Sequence, residues 1–285
     1  MCVTFWKLSS SSASDGYRLV LAFNRDEFFD RPTLGFHHWP PPASGGVFAP
    51  QDLQPADASQ RGAWLGLNTH HGGRLALLTN FRELTPLRPS TTSRGPLVRN
   101  YLLHGTESPW EYAQAVYKER QRYDGFNLVL FDLLDNTVIY VTNRGFKDNE
   151  GTIQRLTDED GRVVGLSNSS IDDCAWPKVR YGKEAFARAL AETSGSGDEQ
   201  ELVEALMQVM SDTGPFDQQK DHTPQRLDDL KQCIFVPEIN SIYPLPPGRY
   251  GTRTTDVILV KGRRLTVAER EHDNKDQIII SHIEI

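Results

Sequence analysis

The residues best suited to chemistry stand at the start of the chain. Cys2 follows the initiator Met1 directly, and Asn24-Arg25-Asp26-Glu27 closes the second apolar run. Methionine aminopeptidases remove Met when the next side chain is small, as Cys is. A chain beginning at Cys2 carries a thiol and an α-amine on one residue. The amine titrates at about 7.7–8.0, so it can accept the thiol proton. Asp26 is the carboxylate that could hold the resulting ammonium, if the fold returns it to residue 2. The plainer alternative is an ordinary buried cysteine near a terminus, with charged residues simply ending a strand. Spacing alone leaves both open.

The elements that must position these residues are legible as patterns. Residues 3–8 and 17–23 are apolar and rich in β-formers, with a polar turn stretch at 9–16, so they read as an antiparallel hairpin. That pairing would bring Asp26 near residue 2. Residues 31–60 read as loop-rich: Trp39-Pro40-Pro41-Pro42, Gly45-Gly46 and Gln54-Pro55 exclude a regular helix. His37-His38 in that stretch could ligate a metal or haem, but no second ligand pair is placed by spacing, and a solvated loop is the simpler reading. Residues 63–68 and 74–79 form a second hairpin about Gly72-Gly73. Its second strand ends in Asn80, whose amide could face a cavity or merely cap the following loop.

Helices are expected from Ser93-Arg94-Gly95-Pro96 through Leu102, and from Ser108-Pro109-Trp110-Glu111, which has the form of a capping box. Residues 126–134 and 137–142 make a third hairpin around Asp135-Asn136. A short strand at 162–166 runs into Ser167-Asn168-Ser169-Ser170. Helical spacing returns at 179–191 and 201–210, followed by a polar loop at 211–225. Residues 233–236, 254–260, 265–270 and 277–285 are β-rich. With no linker, low-complexity run or internal repeat, the expectation is one α+β domain over residues 1–285, with sheets between helix layers.

Composition narrows the function classes. At 285 residues and 38% hydrophobic, the chain can bury a large core. A net charge of −7 argues against nucleic acid or an anionic membrane as the main partner. No run of about eighteen apolar residues is present for a membrane-spanning helix. Cys2, Cys174 and Cys233 lie far apart, an odd and sparse set that suits a reducing compartment. The start, a tryptophan, a lysine and a serine tract after Val3, is unlike a secretory signal. A cytoplasmic protein is expected, with its oligomeric state open.

Several strings in order carry a family resemblance: Met1-Cys2, Asn24-Arg25-Asp26-Glu27, Trp64-Leu65-Gly66, Leu78-Thr79-Asn80, Gly125-Phe126-Asn127-Leu128, Gly165-Leu166-Ser167-Asn168, Trp176-Pro177-Lys178 and Tyr250-Gly251-Thr252-Arg253-Thr254. By these the chain resembles the NRDE family, the transport and Golgi organisation proteins. That family is in turn similar to the N-terminal nucleophile hydrolases, among them the cysteine-type bile salt hydrolases and penicillin V acylases. The resemblance implies a four-layer αββα sandwich. It also implies Cys2 as nucleophile, Asp26 as the carboxylate beside its amine, Asn80 and Asn168 as amide donors around an oxyanion, and Arg253 as a cation lowering the thiol pKa. Such donors are each typically worth a few kcal/mol to a developing oxyanion, and a guanidinium stays charged beside a thiolate. Arg25 and Glu27 are extra charges that those hydrolases lack.

Two functions follow from the resemblance. One is a binding or trafficking protein that reuses the pocket, with haem or an acyl-CoA or other lipid as cargo and cytoplasmic residence with a mitochondrial or Golgi association. Asn24, Arg25, Asp26 and Glu27 would line the ligand site, arginines meeting phosphates as bidentate donors. The other is a Cys2-dependent hydrolase of an amide or thioester. There is no Cys-X-X-Cys-His or Cys-Pro pair, and haem support is confined to the eight histidines and the Cys2 thiol. Cys174 and Cys233 lie in none of the motifs and are expected to stand apart.

Overall fold

The computed structural model describes residues 2–9, 16–40, 46–70, 73–83, 92–103, 107–145, 150–156, 161–216, 223–273 and 275–285. In chain order the elements are β1 (Val3–Leu8), β2 (Tyr17–Phe28), β3 (Thr33–His38), β4 (Val47–Asp52), β5 (Leu65–Asn68), β6 (Arg74–Asn80), α1 (Gly95–Leu103), α2 (Pro109–Lys118), β7 (Phe126–Asp132), β8 (Thr137–Thr142), β9 (Thr152–Leu156), β10 (Val163–Leu166), α3 (Pro177–Thr193), α4 (Glu199–Met210), β11 (Tyr250–Lys261), β12 (Arg264–Glu271) and β13 (Lys275–Glu284). They make an α+β protein with two antiparallel sheets and, among the described residues, four α-helices. By contact the chain divides into two units, each interrupted in sequence: residues 1–30, 158–167 and 171–283, and residues 31–157, 168–170 and 284–285.

The first unit holds a six-stranded sheet in the order β10-β1-β2-β11-β12-β13. The expected first hairpin forms: β1 and β2 pair antiparallel, with Val3 opposite Asn24 and Leu8 opposite Leu19. Because strand side chains alternate, Val3, Phe5, Val20 and Ala22 share a face with Val257 and Leu259, and that face packs on Phe186, Leu202, Leu206 and Met210 of α3 and α4. Burying each such large side chain contributes about 1.5–3 kcal/mol. Close approach of α3 depends on Gly182, where an added Cβ would lie 2.2 Å from the Phe5 ring. Pro177 opens α3, where its missing N–H has no intrahelical partner to lose.

Residues 233–236, expected to be β-rich, are irregular instead. Their backbone bonds run to two different elements. Phe235 N–H donates to Asp212 O (2.8 Å), while Val236 O accepts from Thr252 N–H of β11 (2.9 Å). Pro237 follows immediately and has no N–H with which to continue a ladder.

The second unit holds a seven-stranded sheet in sequence order, β3 through β9. Ala76, Leu78, Leu128, Leu130, Ile139 and Val141 pack on Leu97, Val98, Tyr101, Tyr112 and Val116 of α1 and α2. The capping box at α2 is complete: Ser108 Oγ accepts the Glu111 N–H (3.2 Å) and the Glu111 carboxylate accepts the Ser108 N–H (2.9 Å). Residues 31–60 depart from the loop-rich expectation, since they contain β3 and β4. Pro50 fits inside β4 because pairing with β5 ends at Phe48 and pairing with β3 is irregular between Leu34 and His37. His37 sits on β3 with Nδ1 2.8 Å from Gly35 O, and the His38 ring meets Phe48 at a tilt, its centroid 4.9 Å away. Residues 71–72, at the turn of the second hairpin, and 217–222 of the polar loop lie outside the described residues.

Candidate functional site

The register of the first sheet assembles the N-terminal candidates. Val3 pairs with Asn24, so one position further back Cys2 stands beside Arg25; on the other flank of β2, Arg25 pairs with Thr254 and Asp26 with Thr252. Directly opposed residues share a face, which puts Cys2, Arg25 and Thr254 in one row across three strands. Asn24 and Asp26 point to the other face. Between Thr252 and Thr254 the register slips by one, and Arg253 is the extra residue of that bulge.

Cys2 is half-buried, and the Ser167 hydroxyl donates to its backbone carbonyl (2.7 Å). Burial pushes its thiol up from the ordinary value, and the N-terminal ammonium is the largest influence the other way. The Asp26 charge adds to the rise, and a hydrogen bond with the Asp26 backbone and the Arg25 charge oppose it by less. Asp26 is buried, and its carboxylate accepts a hydrogen bond from Thr252 Oγ1 (2.7 Å). The same hydroxyl accepts the Val236 N–H (2.8 Å), so Thr252 links the carboxylate to the irregular segment. Arg25 is the guanidinium whose charge bears on the thiol. Arg25 also lies 3.8 Å from the half-buried Glu27 carboxylate. Arg253, buried, donates to Phe28 O (3.3 Å), faces the Phe29 ring at 5.9 Å and stands 3.9 Å from Asp273.

Asn24 has a structural task. Its Nδ2 donates to Met210 O (2.8 Å) and Ile234 O (3.0 Å), and its Oδ1 accepts from Thr255 (2.7 Å). The amide thereby ties β2 to the end of α4 and to the segment before β11. Gly251, within the Tyr250-Gly251-Thr252 string, leaves room for that segment: a Cβ there would meet Val236 O at 3.1 Å and Pro237 O at 3.2 Å.

Asn80 and Asn168 belong to the second unit, and there they meet. Asn168 is buried and its Nδ2 donates to the Asn80 backbone carbonyl (2.7 Å), while Arg82 N–H donates to Asn168 O. The Asn80 residue is exposed at the end of β6. Asn127, from the Gly125-Phe126-Asn127 string, is buried beside them, donating to Ser169 O (2.9 Å) and accepting from Tyr140 (2.8 Å).

Sequence reasoning left out residues on the Asp26 side. Cys233, expected to stand apart, is buried within reach of the Asp26 charge. Its thiol is pushed up to about 12, mostly by burial, with Lys178 opposing. Lys178 is fully buried, 5.8 Å from the Trp176 ring. The Trp176-Pro177-Lys178 string was the available signal for Lys178; nothing in the sequence marked Cys233. Cys174 is exposed, and none of the three cysteines forms a disulfide. Among the described residues no group of three or more His, Cys, Asp or Glu is placed to hold a metal.

The family model described as Transport and Golgi organisation 2 matches residues 1–274. The chain belongs to that family. The human Transport and Golgi organization protein 2 homolog is 31% identical over 297 residues, covering 100% of this chain and 96% of its own length. A mouse homolog is also 31% identical, over 97% of this chain and 95% of its own. The Drosophila melanogaster Transport and Golgi organization protein 2 is 27% identical over 91% of this chain and 88% of its own. Likeness therefore runs along nearly the whole chain, through both sheets and the helices described.

Proposed function

We propose that this family member is a small-ligand binding and trafficking protein built on an αββα sandwich of the N-terminal nucleophile hydrolase type, and that its work bears on transport and Golgi organisation as its relatives' names say of them. The observation that carries the binding reading over catalysis is the state of Cys2. Its thiol is pushed up by burial, which outweighs the opposing N-terminal ammonium, whereas a cysteine nucleophile acts as the thiolate and is activated by a lowered pKa. With Met1 attached, the Cys2 nitrogen is an amide and offers no base. Arg25, with Arg253 on the neighbouring strand, gives this end of the sheet cations suited to an anionic cargo, such as the carboxylates of haem or the phosphates of an acyl-CoA. A cytoplasmic protein with mitochondrial or Golgi association, without nucleic-acid partners or membrane insertion, is the setting this reading implies.

The second reading is a Cys2 hydrolase of an amide or thioester, with Cys2, Asp26, Asn80, Asn168 and Arg253 in the roles that the resemblance assigns. It is favoured by the buried Asp26 carboxylate, whose charge reaches the Cys2 thiol from the neighbouring strand. Removal of Met1 would supply the missing amine. One experiment separates the two. Intact mass establishes whether protein from its native cell starts at Cys2, and processed protein is then offered haem, acyl-CoA and N-acyl amino acids beside Cys2→Ser. The proposal expects stoichiometric binding without turnover, weakened by Asp26→Asn or Arg253→Gln. Turnover that disappears in Cys2→Ser makes the protein an enzyme and overturns it.

A further inference from the structure

The first unit contains a second pair of carboxyls that neither reading uses. β11 and β12 set Asp256 directly opposite Glu269, on the sheet face that carries Cys2 and Arg25. Directly opposed residues of an antiparallel pair have their Cβ atoms about 4.5–5.5 Å apart, where like charges repel. Asp256 is 1% exposed, and neither of its carboxylate oxygens is reached by solvent or accepts a hydrogen bond. Thr254, two residues along on the same face, has a buried hydroxyl near this carboxyl but without a well-formed hydrogen bond. A carboxylate ionised in such a place has no water, and no donor beyond a poorly aligned Thr254 hydroxyl to replace it. Such a group takes up a proton instead.

The charges around Asp256 can be followed strand by strand among the described residues. On β2, Arg25 lies diagonally across, opposite Thr254, with Glu27 beyond it. On β12, Glu269 is directly opposite, and Glu271 lies two residues on, opposite Thr254. On β1, Cys2 stands past Arg25. α4 packs on the reverse face and presents apolar Leu206 and Met210 there. Burial holds the Asp256 carboxyl well above the usual carboxylate range, the Glu269 charge adds to that, and Arg25 and Thr254 act the other way with less effect.

We propose that Asp256 and Glu269 form a proton-binding pair, sharing one proton that resides on Asp256 at neutral pH. Two carboxyls then carry one negative charge rather than two, and Asp256 becomes an O–H donor on the face of Cys2 and Arg25. Pairs of this kind titrate in two separated steps that belong to the pair. The proton is held in the folded state and released on unfolding, because the unfolded carboxyl ionises at about 3.9. Stability therefore falls as pH rises above that value until the folded pair itself titrates.

Carbon-13 NMR of the full-length protein tests this directly, since the Asp256 carboxyl carbon can be correlated with its own backbone amide. The expected result is a carboxyl that stays protonated through the pH range in which the exposed aspartates ionise, with its midpoint lowered by Glu269→Gln. Titration together with the exposed aspartates overturns the proposal; a raised midpoint that Glu269→Gln leaves unmoved overturns the pairing. As a second readout, Asp256→Asn should gain in urea midpoint relative to the native chain as pH rises from 5 to 8. A constant difference counts against the proposal. If Asp256→Asn does not fold, the carboxyl titrations of the native chain and of Glu269→Gln decide.

Discussion

A thiol attacks and ligates as its thiolate, and at Cys2 burial works against that form. Arg25 favours it from the neighbouring strand while Asp26 disfavours it, so neutralising Asp26 is informative. Asp26→Asn should speed alkylation of Cys2 by iodoacetamide at pH 7.5 severalfold, followed by peptide mass mapping, with the exposed Cys174 reacting first in both proteins. An unchanged Cys2 rate would mean that the carboxylate has no hold on the thiol. Cys233 gives a prediction of pH dependence. Its folded value is raised to about 12, whereas an unfolded thiol titrates at about 8.5. Above about 8.5 the unfolded chain releases a proton that the folded chain keeps, so stability present at lower pH is lost as pH rises through that window. Urea unfolding at pH 8 and 10 should show that loss, and Cys233→Ala should reduce its steepness.

The strands do more than carry residues, because details of their pairing aim them. The bulge at Arg253 shifts the register by one, so Thr252 meets Asp26 while Thr254 meets Arg25. Asn24 shows how a motif residue can serve the fold: its amide joins β2 to α4 and to residue 234. Asn24→Ala leaves two buried carbonyls without that donor and should cost about 2–3 kcal/mol in urea unfolding. Gly182→Ala sets a methyl against the Phe5 ring, and overpacking of this kind should cost about 1–3 kcal/mol. A native-like unfolding midpoint for Gly182→Ala would show that α3 moves away from β1 without penalty.

Among the described residues the chain forms two sheets, and each packs two helices on it through its own apolar cluster. Both units are interrupted in sequence, which binds distant segments to one another. The end of the chain illustrates this: Glu284 and the buried Ile285 belong to the second unit, although β13 up to Ile283 belongs to the first. Deletion of Ile285 should cost about 1.5–3 kcal/mol, seen as a lower urea midpoint. A net charge of −7 predicts that the protein passes through a heparin column at low salt, and retention there would reveal a basic surface that net charge conceals.

Local patterns determined much by themselves. The first, second and third hairpins, the capping box at Ser108 and the helices at 177–193 and 199–210 depend on residues close in sequence, where alternation, caps and prolines act directly. The ordered strings from Met1-Cys2 to Thr254 were enough to reveal the family. Tertiary structure decided the rest. Thr252 and Asp26 are 226 residues apart, and no spacing rule connects them. The two strands at 33–38 and 47–52 were hidden because prolines suppress the strand pattern, while irregular pairing accommodates them. Whether Asn24 serves a ligand or the fold depends on which face of β2 it takes and on what packs there. The Asp256–Glu269 pairing and the burial of Cys233 within reach of the Asp26 charge arise in the same way. Such contacts join segments that the chain's own order keeps apart, and only the assembled fold, by removing water from around them, makes their charges matter.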